Sequence, residues 1–260
     1  MVVNGVFNGN KIKPRVIAII QARMQSTRLP GKAMEDLAGR PLLAHVIERA
    51  QRIEHVDEVV VATCIGEENR AIIDLAASMG AKIFVGSMEN VLERYWLALC
   101  EFGGEFIVRV TGDNPFTDPE YASMAVDISL ESKPDLCSVT NLPLGTGVEI
   151  IKAGALEEAY RNGDKTYHRE HVTPYIKEHP ELFNIERIPA NFKNPFPGMR
   201  LTVDTPEDMV FARAVYERVY AGQVFPLSEV ISVIETDPDL LKINSGVEQR
   251  PMVHSERKDA

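Results

Sequence analysis

Short apolar runs rich in β-branched residues alternate along this chain with segments whose apolar residues recur at helical spacing. The predicted strands span residues 15–20, 58–63, 82–85, 106–110, 136–140, 148–151, 183–188 and 200–203. Predicted amphipathic helices span 41–53, with Pro41 in the first turn, 71–79 and 91–102. This alternation is typical of an α/β protein in which helices cover both faces of a mostly parallel sheet. A chain of 260 residues suffices for one such domain.

A basic loop follows the first predicted strand. Residues 21–32 contain Arg23, Arg28 and Lys32 and no acidic residue, although the whole chain has a formal net charge of -10. The loop after a buried parallel strand lies at the carboxyl edge of the sheet, where α/β proteins bind their ligands. Arginine and lysine there could spread positive charge over the oxygens of a polyphosphate. The alternative is a cationic loop that is simply solvated.

Two aspartates stand at the ends of predicted strands. Asp113 follows 106–110 and Asp204 follows 200–203. Mg²⁺ usually takes one or two protein carboxylates and fills its other positions with phosphate oxygens and water, so the pair could hold this ion. The alternative is that each caps the next helix; after Asp204 the better cap is Thr205, because Pro206 follows it at the first helical position.

Composition limits the classes of function. The acidic balance argues against general nucleic-acid binding, which needs an excess of clustered cations. Residues 1–14 lack the apolar core of a secretory signal, and no run approaches the roughly 20 apolar residues that span a bilayer. Cys64, Cys100 and Cys137 lack Cys-x-x-Cys spacing, so we expect buried apolar roles for them. The expectation is a cytoplasmic enzyme without nucleic-acid or membrane partners.

Three segments follow from the pattern. Residues 1–14 are expected to form a flexible lead, 15–243 a single domain, and the polar, aperiodic 244–260 a disordered tail. Within the domain, about 140–195 is rich in proline, glycine and aromatic residues and is interpreted as a smaller lobe that covers an acceptor and contributes to a homodimer. The aromatic residues expected at the dimer contact are Tyr167, Tyr175, Phe183, Phe192 and Phe196.

An ordered series of motifs extends from about residue 15 to residue 220. They are Gln21-Ala22-Arg23-Met24-Gln25-Ser26-Thr27-Arg28-Leu29-Pro30-Gly31-Lys32, then 59–63, 84–87, 91–95, 108–113, 170–175 and 200–208. This series resembles the SpsF-like cytidylyltransferases of spore-coat polysaccharide biosynthesis, which are related to the acylneuraminate and 3-deoxy-manno-octulosonate cytidylyltransferases. The first motif departs from the family only at Gln25, where glycine is usual.

The resemblance implies a single Rossmann-like domain of the nucleotide-diphospho-sugar transferase (GT-A-like) type, with a mixed, mostly parallel sheet. It implies transfer of CMP from CTP to an acceptor oxygen with release of pyrophosphate and with Mg²⁺ as cofactor. The implied catalytic residues are Arg23, Arg28, Lys32, Asp113 and Asp204, the last two as metal ligands. The implied nucleotide-binding residues are Gln21, Ala22, Arg23, Ser26, Arg28, Lys32, Arg109 and Gly112, with the backbone around Gln21 and Ala22 facing the base.

The acceptor side is less defined. Glu149 follows Gly147, a position where the family often has aspartate, and could contact the acceptor or a second metal, or simply face solvent. A basic and acidic cluster further on could bind a carboxylate or phosphate of the acceptor, with an arginine as the planar fork, or be structural. Its members are His168, Arg169, Glu170 and His171.

Two other functions remain open. The first is a glycosyltransferase of the same fold, and the match of the basic loop, residues 21–32, to the cytidylyltransferase motif argues against it. The second is a non-catalytic nucleotide sensor, which only the departures at Gln25 and Gly147 favour. The sequence does not choose among octulosonic acids, nonulosonic acids, phosphorylated polyols and phosphonates as acceptor, nor does it establish a strict preference for CTP.

Overall fold

The computed structural model describes residues 13–191 and 196–249. The strands are β1 (Val16–Gln21), β2 (Asp36–Leu37), β3 (Arg40–Pro41), β4 (Glu58–Cys64), β5 (Lys82–Gly86), β6 (Phe106–Thr111), β7 (Leu136–Thr140), β8 (Glu149–Lys152) and β9 (Ile185–Pro189). The helices are α1 (Leu42–Gln51), α2 (Arg70–Ser78), α3 (Val91–Phe102), α4 (Pro119–Ser132), α5 (Ala153–Asn162), α6 (Thr166–His171), α7 (Pro174–Glu178), α8 (Pro206–Val219) and α9 (Leu227–Thr236). Short 3-10 turns occupy Lys32–Met34, Glu67–Asn69 and Pro238–Lys242.

Seven strands form one sheet in the order β5-β4-β1-β6-β8-β7-β9. Every neighbouring pair is parallel except the two pairs that contain β8. The predicted α/β fold with a mixed, mostly parallel sheet is therefore confirmed. The remaining strands, β2 and β3, form a small hairpin that the sequence analysis did not predict.

Helices cover both faces of this sheet, and this explains why residues 16–20 of β1 are all apolar. Val16, Ala18 and Ile20 point into a core shared with α1, α2, α4, α8 and α9. Ile17 and Ile19 point into a second core shared with α3, α5 and α7. A strand covered on both faces gains from apolar side chains at every position, so the run has no polar alternation.

The strand order places a ligand crevice between β1 and β6. From β1 the chain moves outward through β4 to β5 and then returns to β6 on the opposite side of β1. In α/β sheets the loops leave such a switch point in opposite directions and open a crevice at the carboxyl edge. The basic loop follows β1 and Asp113 follows β6, so both lie at this crevice.

Gly112 joins the ends of these two strands. Its amide donates to the Gln21 carbonyl at 2.8 Å. A Cβ at position 112 would lie 2.7 Å from that same oxygen and 3.0 Å from the Ala22 Cβ. The glycine, one of the implied nucleotide-binding residues, therefore permits close contact between β6 and β1.

Two predicted elements are wrong. Residues 200–203 are extended but do not form a strand, because their only ladder contact among the described residues is an isolated bridge between Leu144 and Arg200. Pro41 ends β3 and is the N-cap of α1, so it lies just before the helix whose first turn it was expected to occupy. In contrast, Thr205 caps α8 as predicted, in a capping box with Asp208.

The chain continues in packed form beyond its expected end. Asn244, at which the tail was predicted to begin, is buried and hydrogen-bonded, and the turn 238–242 precedes it. The predicted tail is thus wrong for Asn244. Residues 1–12 of the predicted lead and 250–260 of the predicted tail lie outside the described residues.

The region 140–195 contributes β8 and β9 to the central sheet and α5 to α7 to one of its faces. Tyr167, Tyr175 and Phe183 are buried within the chain, and Phe196 packs against the first core. These side chains are therefore not free to form the expected dimer contact, and Phe192 lies outside the described residues. Cys64 and Cys137 are buried as predicted, whereas Cys100 is exposed. Among the described helices, none combines the length and the apolar composition that crossing a membrane requires.

Candidate active site

The basic loop is folded back on itself around Met24. The Met24 carbonyl accepts from the amides of Ser26 at 3.0 Å and Gly31 at 2.9 Å, and its own amide donates to the Asn69 side chain at 2.9 Å. Gly31 has a φ of 76°, a left-handed conformation that favours glycine, and Lys32 begins a 3-10 turn directly after it. This fold turns the second half of the loop toward the chain segment that leads into α8.

Lys32 forms ion pairs with both predicted metal ligands, Asp113 and Asp204. Its Nζ donates to Asp113 Oδ2 at 2.8 Å, to Asp204 Oδ1 at 2.9 Å and to the Val203 carbonyl at 2.9 Å. Arg28 contacts the other carboxylate oxygen of Asp204 at 3.0 Å. The structure thus brings four of the five predicted catalytic residues into one cluster at the crevice.

The charges in this cluster stabilise one another. Burial alone would lower the pKa of the Lys32 ammonium, but the adjacent charges of Asp113 and Asp204 outweigh it and raise that pKa. Burial alone would raise the pKa of the Asp204 carboxyl, but Lys32, Arg28 and Arg200 outweigh it and lower that pKa. At neutral pH Asp204 is therefore ionised and Lys32 is protonated.

The donor set suits a hard divalent cation. Two carboxylate oxygens, one from each aspartate, lie within hydrogen-bond distance of a single Lys32 nitrogen, so they converge on one point. No third histidine, cysteine or acid of the described residues completes a group that could hold a metal by itself. An octahedral ion that keeps waters and binds phosphate oxygens needs only two such ligands, so Asp113 and Asp204 fit Mg²⁺.

Arg200 and Asp208 form a buried pair behind Asp204. Arg200 Nε donates to both oxygens of Asp208, at 2.9 and 3.2 Å, and a terminal nitrogen contacts Asp204 Oδ2 at 2.5 Å. Neither residue is among the predicted site residues, and Arg200 is only one of several further cations with a weak claim from the sequence. The spacing of Arg200, Asp204 and Asp208 does not by itself predict a contact among them, because 200–203 is predicted to be a strand.

The predicted nucleotide residues at the start of the loop have other contacts. Arg23 donates to the Met88 carbonyl at 3.2 Å and lies beside Arg94, whose pKa is lowered by burial and, less strongly, by the Arg23 charge. The Ala22 amide donates to the Ala62 carbonyl at 3.2 Å, so it is not free to face a base. The Ser26 hydroxyl accepts from the Leu29 amide at 3.4 Å and helps to shape the loop.

Gln21 does provide an available polar atom. Its Oε1 is buried and has no hydrogen-bond partner among the described residues. A buried acceptor of this kind carries a desolvation cost unless a ligand or water donates to it. Gln21 therefore remains a predicted nucleotide residue through its side chain, whereas its carbonyl already accepts from the Gly112 amide.

On the acceptor side, Glu149 is surrounded by donors. Arg109 contacts its Oε2 at 3.1 Å, the Thr173 hydroxyl donates to the same oxygen at 3.0 Å, and Lys177 contacts Oε1. Burial alone would raise the pKa of the Glu149 carboxyl, but Arg109 and Lys177 outweigh it and lower that pKa. Glu149 therefore does not face solvent, one of the options that the sequence left open.

The predicted cluster 168–171 is divided by the structure. His168 is buried, and its Nε2 lies 3.1 Å from Glu178. Arg169 is exposed and lines a separate cleft of 280 Å³ beside Asn90 and α5, and Glu170 is exposed as well. Of these four residues, only His171 lies near the donors of Glu149. Burial lowers the pKa of His171, and the charges of Arg109 and Lys177 lower it further, whereas the charge of Glu170 opposes this change.

A second cavity, of 460 Å³, borders the charged cluster. Arg28 and Thr205 line one side of it, and Ile243 and residues 246–248 line the other. The C-terminal segment, which the sequence predicted to be frayed, thus forms part of the wall next to Arg28.

The sequence profile of the family described as cytidylyltransferase matches residues 17–231 of this chain. The match covers well over half of the chain, including both strands that border the crevice. The chain belongs to the cytidylyltransferase family and is a nucleotidyltransferase of the SpsF-like type.

Individual relatives agree with this assignment. The chain is 37% identical over 238 residues to the uncharacterized protein MJ1063 of Methanocaldococcus jannaschii, covering 91% of this chain and 97% of that protein. It is 33% identical over 229 residues to the spore coat polysaccharide biosynthesis protein SpsF of Bacillus subtilis, covering 86% and 95%. Among solved structures, a cytidylyltransferase from Leptospira borgpetersenii superposes with a TM-score of 0.82 at 28% identity, covering 88% and 97%.

Proposed function

We propose that this chain is a Mg²⁺-dependent cytidylyltransferase that transfers CMP from CTP to an anionic acceptor and releases pyrophosphate. The acceptor would be a sugar acid or a phosphorylated or phosphonylated compound. The observation that carries the proposal is the convergence of Asp113 and Asp204 on Lys32, beside Arg28, at the crevice between β1 and β6. The SpsF relative supports a place in the biosynthesis of a surface polysaccharide.

The charge balance of the cluster supports a divalent cation. Three basic and three acidic side chains contact one another there, so the cluster is close to neutral. They are Arg28, Lys32, Arg200, Asp113, Asp204 and Asp208. A triphosphate entering a neutral, partly buried cluster brings an excess of negative charge, and Mg²⁺ held by Asp113 and Asp204 would offset it and polarise the phosphate oxygens.

The residues of the chain would mainly align the reactants. Arg28 and Lys32 would move from the aspartates to the triphosphate oxygens, and the Gln21 side chain would accept a hydrogen bond from the nucleotide. The acceptor oxygen would then bond to the α-phosphorus while the bond from that phosphorus to the bridging oxygen breaks, so that the leaving pyrophosphate takes the electron pair and a hydroxyl acceptor gives up its proton to water. Alignment and charge stabilisation account for most of the acceleration in such transfers.

The surplus of cations around Glu149 suggests where the acid group of the acceptor binds. Arg109 and Lys177 flank a single carboxylate, and Arg109 Nε has no hydrogen-bond partner among the described residues. A carboxylate or phosphoryl group could take the free edge of Arg109 in the planar, two-point manner that arginine favours. Arg109 and His171, rather than Arg169 and His168, are therefore the acceptor residues that we propose.

The test is pyrophosphate release measured for each of the four nucleoside triphosphates against a panel of acceptors. The panel contains octulosonic and nonulosonic acids, phosphorylated polyols and phosphonates, each with a neutral analogue that lacks the acid group. We expect release with CTP and an anionic acceptor, which Asp113→Asn abolishes. A glycosyltransferase would consume a nucleotide sugar instead, and a sensor would bind CTP without turnover, so either result would refute the proposal.

A homodimer and a cytoplasmic location are further parts of the proposal. Because Tyr167, Tyr175 and Phe183 are buried, the dimer contact must use other surface residues of the region 140–195 if that region forms it. Light scattering at micromolar concentration tests the dimer directly. A monomer under these conditions would refute it without affecting the proposed reaction.

A further inference from the structure

Asp204 lies on a chain segment that the central sheet does not hold. Residues 200–203 are extended and make one isolated bridge, between Leu144 and Arg200, among the described residues. Two main-chain bonds support the segment: Leu201 donates to the Leu144 carbonyl and Val203 to the Asp113 carbonyl, each at 2.8 Å. These bonds fix the path of the backbone and leave the rotamer of the Asp204 side chain to other contacts.

The Arg200 guanidinium provides such a contact. It is only 6% exposed, and its planar group touches two carboxylates at once. One edge donates from Nε to Asp208, at 2.9 and 3.2 Å, and a terminal nitrogen donates to Asp204 Oδ2 at 2.5 Å. A planar group whose one edge is fixed also fixes the direction of its other donors.

Asp208 fixes that edge. Its side chain is fully buried and accepts from the amides of Asp204 at 3.0 Å and Thr205 at 3.1 Å, and from Asn244 Nδ2 at 3.1 Å. Asn244 also donates to the Arg200 carbonyl at 3.2 Å. Movement of Asp208 would leave several buried donors unpaired, so the carboxylate is held firmly.

The two oxygens of Asp204 consequently have different partners. Oδ2 takes Arg200 and Arg28, whereas Oδ1 points to the position where Lys32 also meets Asp113. We propose that Arg200 is a positioning residue: by holding Oδ2 it directs Oδ1 of Asp204 toward the metal position shared with Asp113. The inference rests on the proposed function, in which these two aspartates bind Mg²⁺.

Replacement by lysine separates geometry from charge. Arg200→Lys keeps the positive charge near Asp204 and Asp208, but a single ammonium lacks the rigid fork that spans both carboxylates. If Arg200 acts only by its charge, Arg200→Lys should bind metal like the wild type. If it acts as a positioning group, lysine should restore only part of what Arg200→Met loses.

The experiment is Mn²⁺ binding to the full chain, followed by the electron paramagnetic resonance of the free ion, with and without a non-hydrolysable CTP analogue. We expect Arg200→Met to raise the Mn²⁺ Kd by about 10-fold or more, as loss of a group that orients a metal ligand usually does. Arg200→Lys should fall between Arg200→Met and the wild type. Turnover should follow metal affinity, so that higher metal concentration partly restores kcat while the KM for CTP changes little.

The matched control is Arg49→Met. Arg49 is also buried and donates to the carbonyls of Thr117 and Phe225, but in the described part of the chain it forms no ion pair with an acid. We expect it to lower the unfolding temperature without changing the Mn²⁺ Kd. If Arg200→Met does not fold, Asn244→Ala replaces it, because it loosens Asp208 without removing a charge and should also weaken Mn²⁺ binding.

The two possible failures give different results. If Asp204→Asn loses Mn²⁺ binding while Arg200→Met, or Asn244→Ala in its place, stays within about twofold of the wild type, the positioning role is wrong and the proposed function stands. If Arg200→Lys equals the wild type, the role is electrostatic and the positioning inference is also wrong. If the wild type and Asp204→Asn bind Mn²⁺ equally with the analogue present, the metal site itself is wrong and the proposed function fails.

Discussion

Replacement of Lys32 by methionine tests whether its ammonium group competes with a metal ion for the same two carboxylates. In the structure Lys32 Nζ lies 2.8 Å from Asp113 Oδ2 and 2.9 Å from Asp204 Oδ1. A cation that binds both oxygens must first displace this ammonium. Lys32→Met removes the competitor and leaves the carboxylates and the approximate length of the side chain in place.

The magnitude follows from the two hydrogen bonds that the metal must break. A hydrogen bond to a charged group contributes about 1.5–3 kcal/mol. The three side chains are 13, 26 and 17% exposed, so solvent screens them partly and we use the lower limit, about 3 kcal/mol for both bonds. Since each 1.4 kcal/mol is a factor of ten, Lys32→Met should bind Mn²⁺ roughly 100-fold more tightly than the wild type does without nucleotide.

The assay is Mn²⁺ binding to nucleotide-free protein by electron paramagnetic resonance, and Arg28→Met is the graded control. Arg28 contacts Asp204 only at Oδ2, at 3.0 Å, and not at the oxygen that faces Lys32, so its removal should change Mn²⁺ binding much less than Lys32→Met does. With CTP present the order should reverse, because Lys32→Met also loses a phosphate ligand and its turnover should fall strongly. Mn²⁺ affinity of Lys32→Met at or below the wild-type value would refute the competition.

Three further outcomes are expected. Asp113→Asn should abolish pyrophosphate release without lowering the unfolding temperature, and Asp204→Asn should reduce the release less strongly. Kinetics against Mg²⁺ concentration and thermal unfolding check both variants. Glu149→Gln should raise the KM for the acceptor while the KM for CTP changes little, because the carboxylate orients Arg109; equal changes in both constants would contradict this. Burial lowers the pKa of His45 from 6.5 to about 4, so the unfolded chain takes up the proton first as the pH drops through this range. The free energy of unfolding should therefore fall by about 3 kcal/mol more in the wild type than in His45→Gln. Urea unfolding of both proteins at several pH values tests this, and an equal pH dependence in the two would contradict the assignment.

The sheet could be predicted because its strands carry a strong local signal. In β1 residues 16–20 are apolar on both faces, and β6 is apolar except at Arg109 and Thr111, so the pattern follows burial. The helix start at Thr205 was equally local, since a cap, a proline and two acids define it within four residues. Fold class and the crevice loops follow from such signals.

The segment 200–203 shows where local signals fail. Arg200-Leu201-Thr202-Val203 has the composition of a strand, yet its backbone groups pair with Leu144 and Asp113 rather than with a neighbouring strand. Whether an extended, apolar segment joins a ladder depends on which chain lies beside it. That information is long-range and is absent from the segment itself.

The sequence points to residues that stand in motifs of their own, but it does not point to Arg200, which is proposed to act through Asp204. Three recognisable motifs supply residues that the structure brings together: Arg28 and Lys32 from the first, Asp113 from the second and Asp204 from the third. Four adjacent residues, 168–171, looked like one cluster, but a short helix turns their side chains in different directions and only His171 faces Arg109. Adjacency in sequence does not predict a shared site on a helix, because neighbouring side chains point to different faces.

A single strand connects the two parts of the proposed site. Arg109 lies within β6, where it pairs with Glu149 on the acceptor side, and Asp113 lies two residues beyond the end of the same strand. Between them Gly112 fastens the strand to β1 by its bond to the Gln21 carbonyl, at a distance that leaves no room for a Cβ. The position of Asp113 relative to Arg109 is therefore set by the backbone of one buried strand, and the ladder between β6 and β1, together with the Gly112 bond, fixes both relative to the basic loop. Because alignment is the main contribution that a protein makes to such a transfer, the connection through β6 and Gly112 would be part of the proposed catalytic site.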